Sequence, residues 1–222
     1  MKITQVLFIV LLLAACVPGE QEVRFPEDEN YKKAKENILE QVDDSGRIVW
    51  QKPEEVVKLL GDISNKTIAD IGAGSGYFTF RFALKAKKVI AIDIDPIMIK
   101  IIETFKQQLP ANIQEKIETR LAIPSDPMLE KGEADVIAII NTIGYIENRS
   151  KYYRVLKEDL STNGELFILD FKTKKLSINA PGMNYRVPLG ELEEELEAAG
   201  FQVFESDDQT LDYQYIVRAR KI

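Results

Sequence analysis

The run Asp70-Ile71-Gly72-Ala73-Gly74-Ser75-Gly76 has the composition to bring bare backbone against a ligand. Glycine at every second position removes the Cβ atoms that would hold a bound molecule away, and main-chain N–H groups are left to donate. A second chemical group is Asp93, 21 residues beyond Gly72 and at the end of the apolar stretch Val89-Ile90-Ala91-Ile92. A carboxylate so placed suits a ribose, because a charged oxygen pair accepts two hydroxyl hydrogen bonds strongly. The dinucleotide pattern G-x-G-x-x-G would need glycine at position 77, where Tyr77 stands, so a nicotinamide site is the weaker reading. Each feature alone has a plainer explanation: a glycine turn can simply pack, and Asp93 could cap the helix entered at Pro96.

Composition narrows the chemistry further. The 222 residues contain no histidine, which excludes Ser-His-Asp and Cys-His catalysis, imidazole bases and histidine-bound zinc. One cysteine, Cys16, excludes an intrachain disulfide framework and any cysteine-rich metal site. The formal charge of −7 argues against a nucleic-acid clamp, which needs clustered Lys and Arg. With 45% hydrophobic and 29% charged residues the chain has the profile of an ordinary folded protein.

The elements that must position these groups alternate. Strands are predicted over residues 67–71, 89–94, 117–122, 136–140, 165–171, 201–205 and 211–218, the last two as a hairpin. Helices are predicted over 31–42, 53–60, 77–85, 97–109, 151–160 and 189–199, with Asn163-Gly164 as a turn. The Glu191–Glu197 charge run reads as a solvated helix face, and Tyr152 and Tyr153 read as packing residues. This order specifies an α/β, doubly wound, mostly parallel sheet with helices on both faces.

D-x-G-x-G-x-G at 70–76 resembles the first motif of class I S-adenosylmethionine-dependent methyltransferases, and the chain from about Gln51 to Ile222 is similar to that family. The resemblance implies a Rossmann-like, seven-stranded sheet with a C-terminal antiparallel hairpin strand, and S-adenosylmethionine as cofactor. It implies that Asp70, Gly72, Gly74 and Gly76 form the cofactor loop, with Asp93 on the ribose and Ile94 over the adenine. Asp126 would meet the adenine amino group, and Asn141 would line the pocket near the transferring methyl, making Asn141 and Tyr145 the catalytic candidates. Related sequences often carry histidines after the Asn-Thr pair, where this chain has Gly144 and Tyr145. No metal is expected, since Asn141 and Asp170 alone do not make a site. The methyl acceptor is unidentified. Residues 31–60, the loop after Asn141 and the segment 172–188, with Tyr185 and Arg186, would set it.

The first residues read as an address. Residues 1–15 pair Lys2 with an apolar run too short to span a bilayer, ending in Leu13-Ala14-Ala15 before Cys16. This resembles a bacterial lipobox, implying cleavage before Cys16 and its lipidation. The expected organisation is a lipoprotein signal peptide over 1–15, a tether over 16–30 and a methyltransferase-like domain over 31–222. Cys16 would anchor an extracytoplasmic protein to a membrane, whereas S-adenosylmethionine is a cytoplasmic product. Two functions therefore stay open: methyl transfer to a small-molecule or envelope acceptor, and non-catalytic ligand binding outside the cytoplasm.

Overall fold

A computed structural model describes residues 46–222. The predicted helix over 31–42, the tether, Cys16 and the signal segment lie outside the described residues. The β-branched run Thr67–Ile71 forms β1, and the remaining strands are β2 (Lys88–Asp93), β3 (Ile117–Leu121), β4 (Ala134–Ile140), β5 (Leu160–Phe171), β6 (Phe201–Asp207) and β7 (Gln214–Lys221). They form one sheet in the order β3-β2-β1-β4-β5-β7-β6. The first five run parallel, while β7 lies antiparallel between β5 and β6. The order reverses at β1 and β4, where an open α/β sheet forms a crevice at its carboxyl edge.

Helices α1 (Arg47–Gln51), α2 (Pro53–Leu59), α3 (Tyr77–Ala83), α4 (Pro96–Lys106) and α5 (Ala111–Gln114) precede β4, and α6 (Arg149–Asp159) and α7 (Leu189–Ala198) follow it. Short 3₁₀ turns stand at Ile143–Tyr145 and Met183–Tyr185. Strand residues alternate between two apolar layers. Ile68, Val89, Val136 and Phe167 pack with Val56, Phe80 and Ile102, while Ala69, Ile90, Ile137 and Ile168 pack with Tyr153, Leu156 and Leu192. In β4 only Asp135 is not buried. Its two oxygens accept from Thr67 N–H (2.9 Å) and Ser161 Oγ (2.9 Å), joining the starts of β1 and β5. Helix α3 is buried all round, so losing one of its phenylalanines should cost about 3–5 kcal/mol.

Two local predictions change. Asn163-Gly164 does not turn the chain: β5 runs from Leu160 to Phe171. The register on β4 jumps from Ala134↔Leu160 to Val136↔Glu165 and pairing with β7 starts only at Glu165, so the dipeptide lies in a bulged stretch, residues 161–164, that neither register pairs. The glutamate face of α7 is partly committed as well. Arg149 bridges Glu191 (2.7 Å) and Glu195 (2.6 Å), and Tyr153 Oη donates to Glu195 (3.2 Å).

Candidate active site

The chain leaves β1 and turns back beneath the end of β2. The N–H groups of Gly72 and Ala73 both donate to the Ile92 carbonyl, at 2.9 and 3.0 Å. Gly72 and Gly76 adopt φ of +74° and +90°. At either one a Cβ would strike a neighbour, the Thr142 side chain or the Phe80 ring respectively, so only glycine suits both the backbone and the space. Gly74 has nothing within 4 Å of its Cβ direction and points its backbone into the open crevice.

Asp93 closes this loop from the opposite side. Its Oδ2 accepts Gly74 N–H at 2.8 Å and its Oδ1 accepts Asp95 N–H at 2.9 Å. Asp95, not Asp93, caps α4 by accepting Ile97 N–H at 2.8 Å. The helix-cap reading of Asp93 is thereby removed, and its carboxylate stays on the cavity lining.

Asp70 is 3% exposed. It accepts the Thr79 hydroxyl at 2.6 Å. Burial pushes its pKa up to about 6, opposed in part by that hydrogen bond and by Arg47. Arg47 comes from α1, and its guanidinium lies 3.8 Å from the centre of the Tyr77 ring, with Arg81 3.9 Å from the same centre.

Two hollows meet here. One of about 170 Å³ is bounded by Arg47, Asp70, the glycine loop and Asn141. The other, about 450 Å³, has Asp93, Ile94, Ile123, Asn141 and Tyr145 among its walls. Gly72, Asn141 and Thr142 belong to both. The smaller offers one cation and one carboxylate, the complement of a zwitterionic amino acid. The larger sets Asp93 among apolar walls, including Ile94, which is 57% exposed, and suits a nucleoside. This donor set fits S-adenosylmethionine end to end: Arg47 and Asp70 would hold its amino-acid part, Asp93 its ribose.

Asn141 stands at the junction with φ +58°, a left-handed conformation uncommon outside glycine. Its Oδ1 accepts from Gln214 Nε2 and from Gln51 Nε2 (3.4 Å). Gln51 Nε2 also donates to Gln214 Oε1 at 2.9 Å, and Arg47 Nε donates to Gln51 Oε1 at 2.6 Å. Both glutamines are fully buried. Tyr145 stacks on Tyr185 at the mouth, with ring centres 4.9 Å apart and planes at 21°. Gly144 passes so close to the Tyr185 carbonyl that no Cβ fits there.

Of the predicted site residues, Gly76, whose place is set by Phe80, and Asp126 do not line either hollow. For Asp126 the reason is local. Its Oδ1 accepts Met128 N–H at 2.6 Å, and its backbone bridges to Ile123, so the carboxylate serves its own turn. Asp170 is buried below the 3₁₀ turn at Ile143–Tyr145 and accepts Phe171 N–H at 2.6 Å. Burial raises its pKa to about 6. No cluster of three or more metal-ligating side chains occurs among the described residues. Arg47, Gln51 and Gln214 carry no local motif, and only their contacts in the fold reveal them.

Comparison with known proteins accords with this geometry. Residues 62–219 match the family model for a methyltransferase domain. A probable ribosomal RNA small subunit methyltransferase A of Methanosphaera stadtmanae is 34% identical over 107 residues, 48% of this chain and 37% of that protein. A magnesium-protoporphyrin O-methyltransferase of Rhodobacter capsulatus is 25% identical over 118 residues, 53% of this chain and 48% of that one. This chain therefore spans less than half the length of these curated relatives. The crystal structure of a SAM dependent methyltransferase from Aquifex aeolicus superposes with a TM-score of 0.72 at 23% identity, covering 86% of this chain and 98% of that one. By its family match, its sheet order and its glycine loop, the chain belongs to the methyltransferase domain family.

Proposed function

We propose that this protein transfers a methyl group from S-adenosylmethionine to a small-molecule or envelope acceptor, and that lipidated Cys16 anchors it to a membrane outside the cytoplasm. The observation that carries the catalytic part is the pair of hollows meeting at Gly72, Asn141 and Thr142, with Arg47 and Asp70 at one end and Asp93 at the other. The sulfonium supplies an activated methyl, so what the protein must add is position, and that can be worth several orders of magnitude in rate. Asp93 and the glycine loop fix the nucleoside end, and Arg47 with Asp70 the amino-acid end. A nucleic-acid acceptor is not part of this proposal. Among the described residues the walls of the larger hollow carry neither Lys nor Arg, so the row of charges along a phosphate backbone would find no run of cations to neutralise it.

Calorimetric titration with S-adenosylmethionine and S-adenosylhomocysteine tests the cofactor. Binding by wild type that Asp93→Ala weakens, followed by methyl transfer to an extract of the source organism, supports the proposal. Binding with no transfer to any acceptor favours ligand capture without turnover, and no binding removes the cofactor reading. The anchor rests on the Leu13-Ala14-Ala15-Cys16 sequence. Metabolic labelling with a radioactive fatty acid should mark the wild type and not Cys16→Ser.

A further inference from the structure

The amide of Asn141 has only one orientation open to it, because its hydrogen-bond chain starts at a group that can only donate. Arg47 Nε has no lone pair to offer, so Gln51 must turn Oε1 toward it, at 2.6 Å. Gln51 Nε2 is thereby directed at Gln214 Oε1 (2.9 Å) and Asn141 Oδ1 (3.4 Å). Gln214, with its oxygen given to Gln51, presents Nε2 to Asn141, whose Oδ1 accepts it. Asn141 Oδ1 thus takes two donors from the protein. Its Nδ2 is left for the junction of the two hollows, which Asn141 lines on both sides.

The carboxylates around that junction have other work. Asp70 holds Thr79, and Asp93 holds two backbone N–H groups. The buried Tyr152 hydroxyl is pushed far above the ordinary tyrosine range by desolvation. Among the described residues Glu147 is the remaining carboxylate on the lining, and it stands exposed. An acceptor that must first lose a proton finds no enclosed base here among the described residues. An amine acceptor would set its own N–H against those of Asn141, donor against donor. Beside the junction lies the Tyr145–Tyr185 stack, with Tyr145 54% exposed, a platform for an apolar and preferably flat body.

We infer that the acceptor is an already ionised oxygen acid on an apolar body, a carboxylate first of all, and that Gln51 and Gln214 are positioning residues that make Asn141 a donor toward it. This rests on the cofactor reading above. One carboxylate oxygen accepts from Asn141 Nδ2 while a lone pair of the carboxylate forms the new O–C bond. The C–S bond breaks, its electron pair stays on sulfur as a neutral thioether, and no proton changes hands.

Naphthoic acid and naphthylamine share a flat body and differ in head group, so they serve as probes. Calorimetry on the full chain saturated with S-adenosylhomocysteine should show naphthoate bound roughly tenfold or more tighter than naphthylamine. Gln214→Glu has only oxygens to offer Asn141, turns the amide round and should reverse that order. Gln214→Leu, which releases the amide, should bring the two probes within about threefold. Without any ligand, the Asn141 side-chain amide protons should exchange with water faster than those of Gln51 and Gln214 in isotope-labelled wild type. Equal binding of the probes, preference for the amine, no binding of naphthoate, or a protected Asn141 amide overturns the inference. Failure of S-adenosylhomocysteine to bind would instead overturn the cofactor reading, and proton exchange would still decide the Asn141 orientation.

Discussion

Replacing Asp93 by alanine should weaken the protein in two separable ways. In the unliganded fold its oxygens accept Gly74 N–H at 2.8 Å and Asp95 N–H at 2.9 Å, so the carboxylate ties the glycine loop to the start of α4. Both donors sit at the edge of the crevice, where water can replace the lost partner. The loss is then close to the net worth of two hydrogen bonds, about 2 kcal/mol. For a domain of this size that corresponds to a fall in melting temperature of about 4–8 °C. Loss of the ribose partner adds a binding penalty of about 1.5–3 kcal/mol, a tenfold to hundredfold weakening. Asp93→Asn keeps one acceptor oxygen but sets an NH₂ against the other donor, so it should fall between wild type and alanine in both measurements. Differential scanning calorimetry without ligand and titration with S-adenosylhomocysteine separate the two effects. An alanine variant that melts with the wild type would refute the structural half. One that melts early yet binds the ligand at full strength would refute the ribose role.

Three further outcomes follow from the same geometry. Arg47→Met should weaken S-adenosylhomocysteine binding by roughly tenfold, measured calorimetrically, because the small hollow loses its cation; unchanged affinity would place the amino-acid end elsewhere. Gly144→Ala forces a methyl against the Tyr185 carbonyl, which rotation of a side chain cannot relieve, and should cost about 2 kcal/mol or more in chemical denaturation. Burial raises Asp70 and Asp170 to about 6 and Asp159 to about 7. These groups keep protons in the folded state that the unfolded chain releases near about pH 4. Their contribution is therefore intact below that pH and is lost as pH rises through about 6 to 7, so the melting temperature should fall between about pH 5 and about pH 8. Glu133, held down at about 2 by Arg120, acts in the opposite sense only at lower pH; a melting temperature that climbs over the upper window would refute the assignment.

What the sequence could show follows from how far each interaction reaches. The glycine loop and Asp93 are close in sequence and bound to the ends of consecutive strands, so periodicity and spacing expose them. The strands were readable because β4 and its neighbours are buried on both faces and therefore continuously apolar. Asp126 misleads for a local reason: an aspartate between Pro124 and Pro127 is equally suited to accept its own turn's N–H, and it accepts that of Met128. Asn163-Gly164 carries a strong turn signal, and β5 takes it up as a bulge: the β4 register skips residues 161–164 and pairing with β7 starts at Glu165. Gln51 and Gln214 lie 163 residues apart and touch. No window of sequence contains both, and a single buried glutamine has no signature of its own.

That separation gives the site an order of assembly. The loop and Asp93 need only β1 and β2 to lie side by side, a short closure, whereas the Asn141 amide waits for α1 and β7 to meet across most of the described chain. Closure entropy rises only slowly with length, but contacts of such span form late. A folding chain would be able to grip a nucleoside before it could choose what to hand a methyl to. If Asn141 selects the acceptor as inferred above, chemical selectivity is the last property acquired, and the first surrendered if the start of β7, where Gln214 stands, comes loose.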